Sequence, residues 1–185
     1  AQNVINDIAE ITNSLVFWST DRLKIVPLAD KPIGDWSPAN QIQYNLTADD
    51  LIPASDGQLI VYKRKDSSET YNQATVEFIN RANSYEKETV SFEVVADVQK
   101  NGLKPASKKS AHYLYTKARA QYYAEQLAMK RLYAKNQYTF HLDWAFCRLE
   151  PGDLVTITDE LCGLREQIVV ITSVSEAADG QLEIT

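Results

Sequence analysis

Glycine is scarce and scattered. The six glycines, Gly34, Gly57, Gly102, Gly152, Gly163 and Gly180, never cluster, so neither a phosphate-cradling loop nor a dinucleotide-binding fingerprint can be built from them. A Gly-x-Ser-x-Gly elbow and a His-Glu-x-x-His helix are also missing, which closes two further common routes to an enzyme. No apolar run approaches the roughly 20 residues of a membrane-spanning helix, and the N-terminus lacks the basic and apolar regions of a signal peptide. Two cysteines, Cys147 and Cys162, are too few for a disulfide framework. An excess of positive charge is missing too. The formal net charge of −6 argues against the broad footprint of a nucleic-acid binder. Methionine occurs once, at Met129, so the chain opens without an initiator and stops at Thr185 inside an apparent strand. An internal piece of a larger protein is the expectation.

What is present is a chain of 185 residues with 44% apolar content, enough for one ordinary domain or two small ones. After Asn3, Val4, Ile5, Ile8 and Ile11 fall at helical spacing and predict a short amphipathic helix closed by Asn13-Ser14. Leu15 to Trp18 and Leu23 to Leu28 read as a hairpin, with Pro27 confined to its edge or end. The segment 29–40 reads as a loop around Trp36, followed by short strands at Ile42 to Leu46 and Leu59 to Lys63. Polar 66–72 marks a soft boundary. We expect an N-terminal α+β lobe over 1–66 and a second lobe over 67–185.

In the second half, Ala74 to Asn80 alternates like a strand. Glu88 to Val94 is ambiguous: Phe92, Val95 and Val98 suit a helix ended by Gly102, whereas Val90, Phe92 and Val94 suit a strand. From Thr116 to Lys135 strong helix formers run without glycine or proline. Ala120, Tyr123, Ala124, Leu127 and Ala128 form one stripe, and Tyr122, Met129, Leu132 and Tyr133 add apolar surface elsewhere, so this helix is expected to pack on more than one side. Its charges are Lys117, Arg119, Lys130, Arg131 and Lys135 against Glu125 alone. The two early cations do not suit the helix dipole; a solvated face is the plainer reading, and an acidic neighbour facing that end is the alternative. Tyr138, Phe140, Leu142, Trp144 and Phe146 then alternate with smaller residues, predicting a strand with one apolar face and a buried Trp144. A Glu150-Pro151-Gly152-Asp153 turn leads to strands at Leu154 to Thr158, Ile168 to Val174 and Leu182 to Ile184. The fold class expected is α+β: short antiparallel sheets or small barrel units with one long helix packed on them.

Chemistry is thin. His141, Cys147, Cys162 and His112 are not spaced like zinc ligands, and a Cys147 nucleophile with His141 as base would be about 20 Å apart on a regular strand. The acid pairs Asp49-Asp50, Glu86 with Glu88, and Asp159-Glu160 suit solvated turns better than glycoside hydrolysis. Lys63-Arg64-Lys65 and Lys104, Lys108 and Lys109 could touch phosphate, with Tyr113 and Tyr115 close to the second group.

Several phrases, taken in order, resemble a known family. Ala74 to Asn80, Asn83 to Lys87, Ala96 to Gly102, the long helix, and Leu149 to Thr158 are together similar to the baseplate-hub or tail-tip proteins of long-tailed bacteriophages, and the hub of gene transfer agents shares this layout. The resemblance implies a structural virion protein of a phage or prophage tail, forming a trimeric ring that joins tail tube to fibre or spike. It implies no catalytic, cofactor or metal residues and no membrane or sequence-specific nucleic-acid partner. Its implied partners are tube, tape-measure and fibre or spike proteins and further copies of itself, at the virion tail tip, after synthesis in the bacterial host cytoplasm. Lys117, Arg119, Lys130 and Arg131 are the candidate subunit contacts. Hub proteins are much longer than this chain. The competing readings are a carbohydrate- or protein-binding β module using exposed Trp18, Trp36 or Trp144, and a hydrolase with an atypical site.

Overall fold

The computed structural model describes residues 2–28, 37, 41–54, 57–66, 70–177 and 180–185. The expected 29–40 loop, apart from residue 37, and Trp36 lie outside them. The chain folds into two compact units, and both draw on residues either side of 66: Ala1–Thr12 with Arg64–Asn136, and Asn13–Lys63 with Gln137–Thr185.

In chain order, the first unit starts with α1 (Gln2–Ile11), and the chain passes to the second for β1 (Ser14–Ser19), β2 (Arg22–Pro27), β3 (Ile42–Leu46), β4 (Leu51–Ile52) and β5 (Ile60–Arg64). It returns for β6 (Gln73–Asn80), β7 (Glu86–Glu93), α2 (Val95–Asn101), β8 (Lys109–Ser110) and α3 (Lys117–Tyr133). The second unit is completed by β9 (Asn136–Leu142), β10 (Leu154–Asp159), β11 (Leu164–Val170), β12 (Val174–Glu176) and β13 (Leu182–Ile184). Mixed α+β is therefore correct. Among the described residues no sheet closes into a barrel, and two pairings, β10 with β3 and β6 with β8, are parallel.

The first unit is a three-stranded sheet, β7-β6-β8, under α3. Alternation on β6 places Ala74, Val76 and Phe78 on one face, all fully buried, as the two-residue period of a strand requires. Ala120, Ala124 and Ala128 lie four residues apart on α3, fully or almost fully buried; small side chains there let the helix backbone approach the sheet. Tyr123, Leu127 and Leu132 complete the core. Thr116 occupies the N-cap in extended geometry without a side-chain cap bond.

The ambiguity at Glu88 to Val94 resolves as strand first, helix after. β7 pairs with β6 along its full length from Gln73↔Glu93 to Asn80↔Glu86, and α2 ends at Gly102, whose φ of +75° suits glycine. On α1 the predicted stripe is only partly used: Ala9 is buried and Ile11 packs on the core, whereas Val4 and Ile8 are exposed.

In the second unit Phe140 and Leu142 of β9 are core, with Leu46, Val155, Ile157, Ile171 and Ile184. The alternation beyond them misleads. β4 and β13 pair with β9 only as far as Leu142, and with no ladder to extend, Trp144–Phe146 turns into a 3-10 helix. Trp144 is consequently 50% exposed rather than buried. Phe146 is half-buried and meets Tyr44 edge-on at 5.1 Å. The expected strand over Ile168 to Val174 is likewise divided: β11 pairs β10, and β12 pairs β13.

The β1-β2 hairpin forms a sheet of its own, turning at Thr20 and Asp21 with φ of 50° and 61°, the left-handed pair that a two-residue hairpin turn requires. One face is pinned. Ser19 Oγ and Lys24 Nζ both donate to Glu150, the lysine at 2.7 Å, and Val26 lies where a Cβ on Gly152 would come within 3.0 Å of it. Cross-strand pairs Val16↔Ile25 and Trp18↔Leu23 form the other face, on which Trp18 is 74% exposed.

Asn72, fully buried, ties the first unit together. Its Nδ2 donates to Asp97 at 2.9 Å and to the Gly102 carbonyl at 2.7 Å, and its Oδ1 accepts from the Lys104 amide at 2.7 Å. Asn72→Ala would remove three hydrogen bonds made from a fully buried side chain, leave a cavity there, and should lower stability by about 2–4 kcal/mol in urea denaturation, while Asn101→Ala, at an exposed position, should stay close to wild type.

Candidate functional site

Among the described residues no cluster of three or more His, Cys, Asp or Glu side chains could hold a metal ion. The imagined histidine and cysteine ligands are dispersed. His141 lies on β9, Cys147 caps the 3-10 turn after it, and both cysteines are exposed free thiols. Burial, then hydrogen bonding and charge from Asp159, push the Cys162 thiol up. His112 Nε2 lies 2.9 Å from Glu77.

The acid pairs hold turns. Asp50 accepts from the amide and hydroxyl of Thr47 at 2.9 Å, Glu88 from Asn80 and Asn83, and Asp159 from the Leu161 amide at 2.8 Å. Asp49, Asp159 and Glu160 line a shallow pocket of about 320 Å³ with Leu59 and Leu161. The second basic cluster is also committed within its unit: Lys108 donates to Glu77, Lys109 to Glu10 at 2.7 Å, and the Lys104 backbone to Asn72.

Of the four candidate contacts on α3, Lys117, Arg119 and Lys130 are exposed and Arg131 is half-buried. The Arg119 guanidinium lies 5.1 Å from the Tyr115 ring centre and donates to its hydroxyl at 3.1 Å. Arg131 lies 5.8 Å over Tyr71. The four cations do not share one surface. Arg119 and Lys130 lie on the side of α3 that carries Tyr122 and Tyr133, exposed by 62% and 66%, whereas Lys117 and Arg131 lie off it. The extra apolar surface read from the sequence is there, but Leu132 belongs to the core and the tyrosines face outward. The Tyr115–Arg119 stack was missed; its signal was an aromatic and an arginine four residues apart.

Glu77, on β6, is the strongest electrostatic centre. Lys108 and His112 hydrogen-bond its carboxylate, Lys87 lies at 3.9 Å, and its side chain is only 13% exposed. Hydrogen bonds from Lys108, then His112, hold its pKa at about 2. Sequence patterning marks Glu77 merely as a polar residue between Val76 and Phe78. On the helix above, burial and then the Glu10 carboxylate push the Tyr123 hydroxyl above its ordinary value; that oxygen has no hydrogen-bond partner within the described structure.

A depressed carboxylate stabilises the fold fully above its unfolded pKa near 4.5 and loses that contribution as pH falls toward 2. Thermal denaturation across that window should show wild type losing stability with acid, and Glu77→Gln showing a shallower loss from a lower starting point at pH 7.

The wider comparisons agree on one class of protein. No curated protein matches the chain. Solved structures that share its fold include a chain of the virion of a native gene transfer agent particle (TM-score 0.73, 15% identity, 99% of this chain and 37% of that one). The 43 kDa tail protein of prophage MuSo2 from Shewanella oneidensis is similar at TM-score 0.53 and 15% identity, over 99% of this chain and 50% of that one. A tail protein from Neisseria meningitidis MC58 is similar at TM-score 0.55 and 15% identity, over 96% and 51%. The chain thus spans between about a third and a half of these relatives. A family model described as "Putative phage tail protein" matches residues 1–174, and the chain belongs to that family of phage and prophage tail proteins.

Proposed function

We propose that this chain is part of the baseplate hub or tail tip, where it joins the tail tube to a fibre or spike and performs no catalytic step. The observation that carries the reading is the family match over 1–174 together with a fold shared, at TM-score 0.73, with a chain of a gene transfer agent virion. The architecture suits it: two compact units with separate cores supply rigid blocks, and exposed aromatic surfaces supply docking area. In the complete protein the copies form a homotrimer, with Lys117, Arg119, Lys130 and Arg131 as contacts to self or to tube, tape-measure and fibre or spike proteins. The 1–66 and 67–185 lobes would then be sequence halves that each contribute to both units.

A second reading is favoured by one observation. Trp18 and Trp144 are exposed rather than buried, as a carbohydrate- or protein-binding module would have them. Titration with cell-surface oligosaccharides should leave tryptophan fluorescence unchanged under the tail reading.

The decisive experiment is to label the protein in assembled particles and locate it by electron microscopy. Labels are expected at the tube's distal end, and deletion of the gene should remove the tip structure. Labels spread along the tube, or tips intact without the gene, would overturn the hub assignment.

A further inference from the structure

The geometry points to a heterologous contact between copies, in which the outer stripe of α3 of one copy docks on the β10–β11 turn of a second. It deepens the assembly reading above and rests on it for the choice of a second copy as occupant.

The stripe is set by helical spacing. Arg119, Tyr122, Gln126, Lys130 and Tyr133 follow one another at steps of three and four residues and so line one side of α3. Its two tyrosines are about two-thirds exposed, and Arg119 is already oriented by the Tyr115 ring and hydroxyl. Tyrosine and arginine concentrate binding energy, because they bring large area with few rotors or a planar fork. A guanidinium held before docking loses less freedom on docking.

Charge selects the occupant. The unit containing α3 has 13 basic and 10 acidic residues, net +3, while the other has 6 and 15, net −9. A protein that divides its charge this way presents opposite signs to the two units of a second copy.

Within the acidic unit, the β10–β11 turn offers apolar surface and carboxylates together. Leu161 in the turn is 93% exposed beside the exposed Glu160, and β11 beyond it carries the exposed Arg165 and Glu166 and, opposite Thr156, Ile168, which is 54% exposed. Asp49 shares the adjoining pocket with Glu160 and Leu161. Tyr122 and Tyr133 would cover the apolar residues, while Arg119 and Lys130 would meet the carboxylates. Because the two patches differ, a docked pair keeps one stripe and one turn unused, the property that lets a contact propagate into a ring.

The test uses the full chain and two charge reversals, Arg119→Glu/Lys130→Glu and Glu160→Lys/Glu166→Lys, all at exposed positions, with circular dichroism confirming that both fold. In sedimentation velocity the wild type should self-associate, more weakly at high salt. Each variant alone should associate at least 10-fold more weakly, roughly 1.4 kcal/mol or more. An equimolar mixture should associate again, because the unaltered stripe of one variant meets the unaltered turn of the other and the two reversed patches complement each other, and a chain carrying all four reversals should likewise regain self-association. A monomeric wild type, a variant that associates normally, or a mixture that does not pair would overturn the proposal. If labels mark the tail end but the mixture fails, the hub reading stands and this contact falls; pairing with labels elsewhere gives the converse.

Discussion

The close approach of α3 to its sheet, made possible by alanine, is the constraint on which the first unit depends. Ala120, Ala124 and Ala128 bring the helix backbone down onto β6 and β7, and the larger Tyr123, Leu127 and Leu132 fill the flanks. A helix seated this low has its rotation fixed, because turning it would drive Tyr123 or Leu132 into the space that the alanines leave. That rotation directs Tyr122 and Tyr133 to solvent. The outer surface of the helix is thus a consequence of its inner one.

The chain crosses between its units three times, and polar pins in each unit stand near the crossings. Asn13 takes a left-handed φ of 49° to end α1, and its amide side chain donates to the Leu28 carbonyl at 2.7 Å. The Lys65 amide donates to the Lys135 carbonyl at 3.0 Å, so the first unit holds its re-entry and exit strands side by side. Asn72 and Glu77 anchor the long excursion from β7 to α3, which has little regular structure of its own: Asn72 fixes Lys104, and Glu77 fixes Lys108 and His112. Apolar burial forms the cores, and a few polar side chains fix the loops upon them.

The sequence made legible whatever local periodicity governs. α3, β6, the hairpin and the Gly102 stop follow from spacing and backbone chemistry within a few residues. Pairing partners decided the rest. Trp144 continues the alternation of Phe140 and Leu142 without a flaw, yet its fate is set by Leu182–Ile184, about 40 residues away, which pairs no further than Leu142. Spacing has no means of reporting that. The parallel docking of β3 on β10 and the three crossings are equally non-local. On α3, helical spacing alone sets Arg119 and Lys130 with Tyr122 and Tyr133 and apart from the Ala120, Ala124 and Ala128 stripe; what spacing leaves open is which of the two apolar surfaces meets the sheet, and burial decides for the alanines. The role of Glu77 was invisible for a similar reason: its partners Lys108 and His112 are more than 30 residues away.

A component that is made singly and used in an assembly faces opposed demands, and the exposed surfaces of this chain meet them in a particular way. A leucine-rich stripe would associate strongly but would also attract any other apolar surface before assembly. Tyrosine has an apolar ring and a hydroxyl that water solvates, so Tyr122 and Tyr133 tolerate exposure while retaining area to bury later. Cations beside them add a sign requirement that most apolar surfaces cannot meet, converting general stickiness into selection of an acidic partner. The hairpin is less guarded. Trp18 and Ile25 stand out on a two-stranded ribbon whose opposite face is fixed by Glu150 and the Gly152 approach, and a ribbon of two strands is marginal by itself. Its apolar outer face therefore gains from being covered. The two surfaces differ in what they demand of a partner: the helix stripe selects by charge and geometry, whereas the hairpin asks mainly for apolar cover.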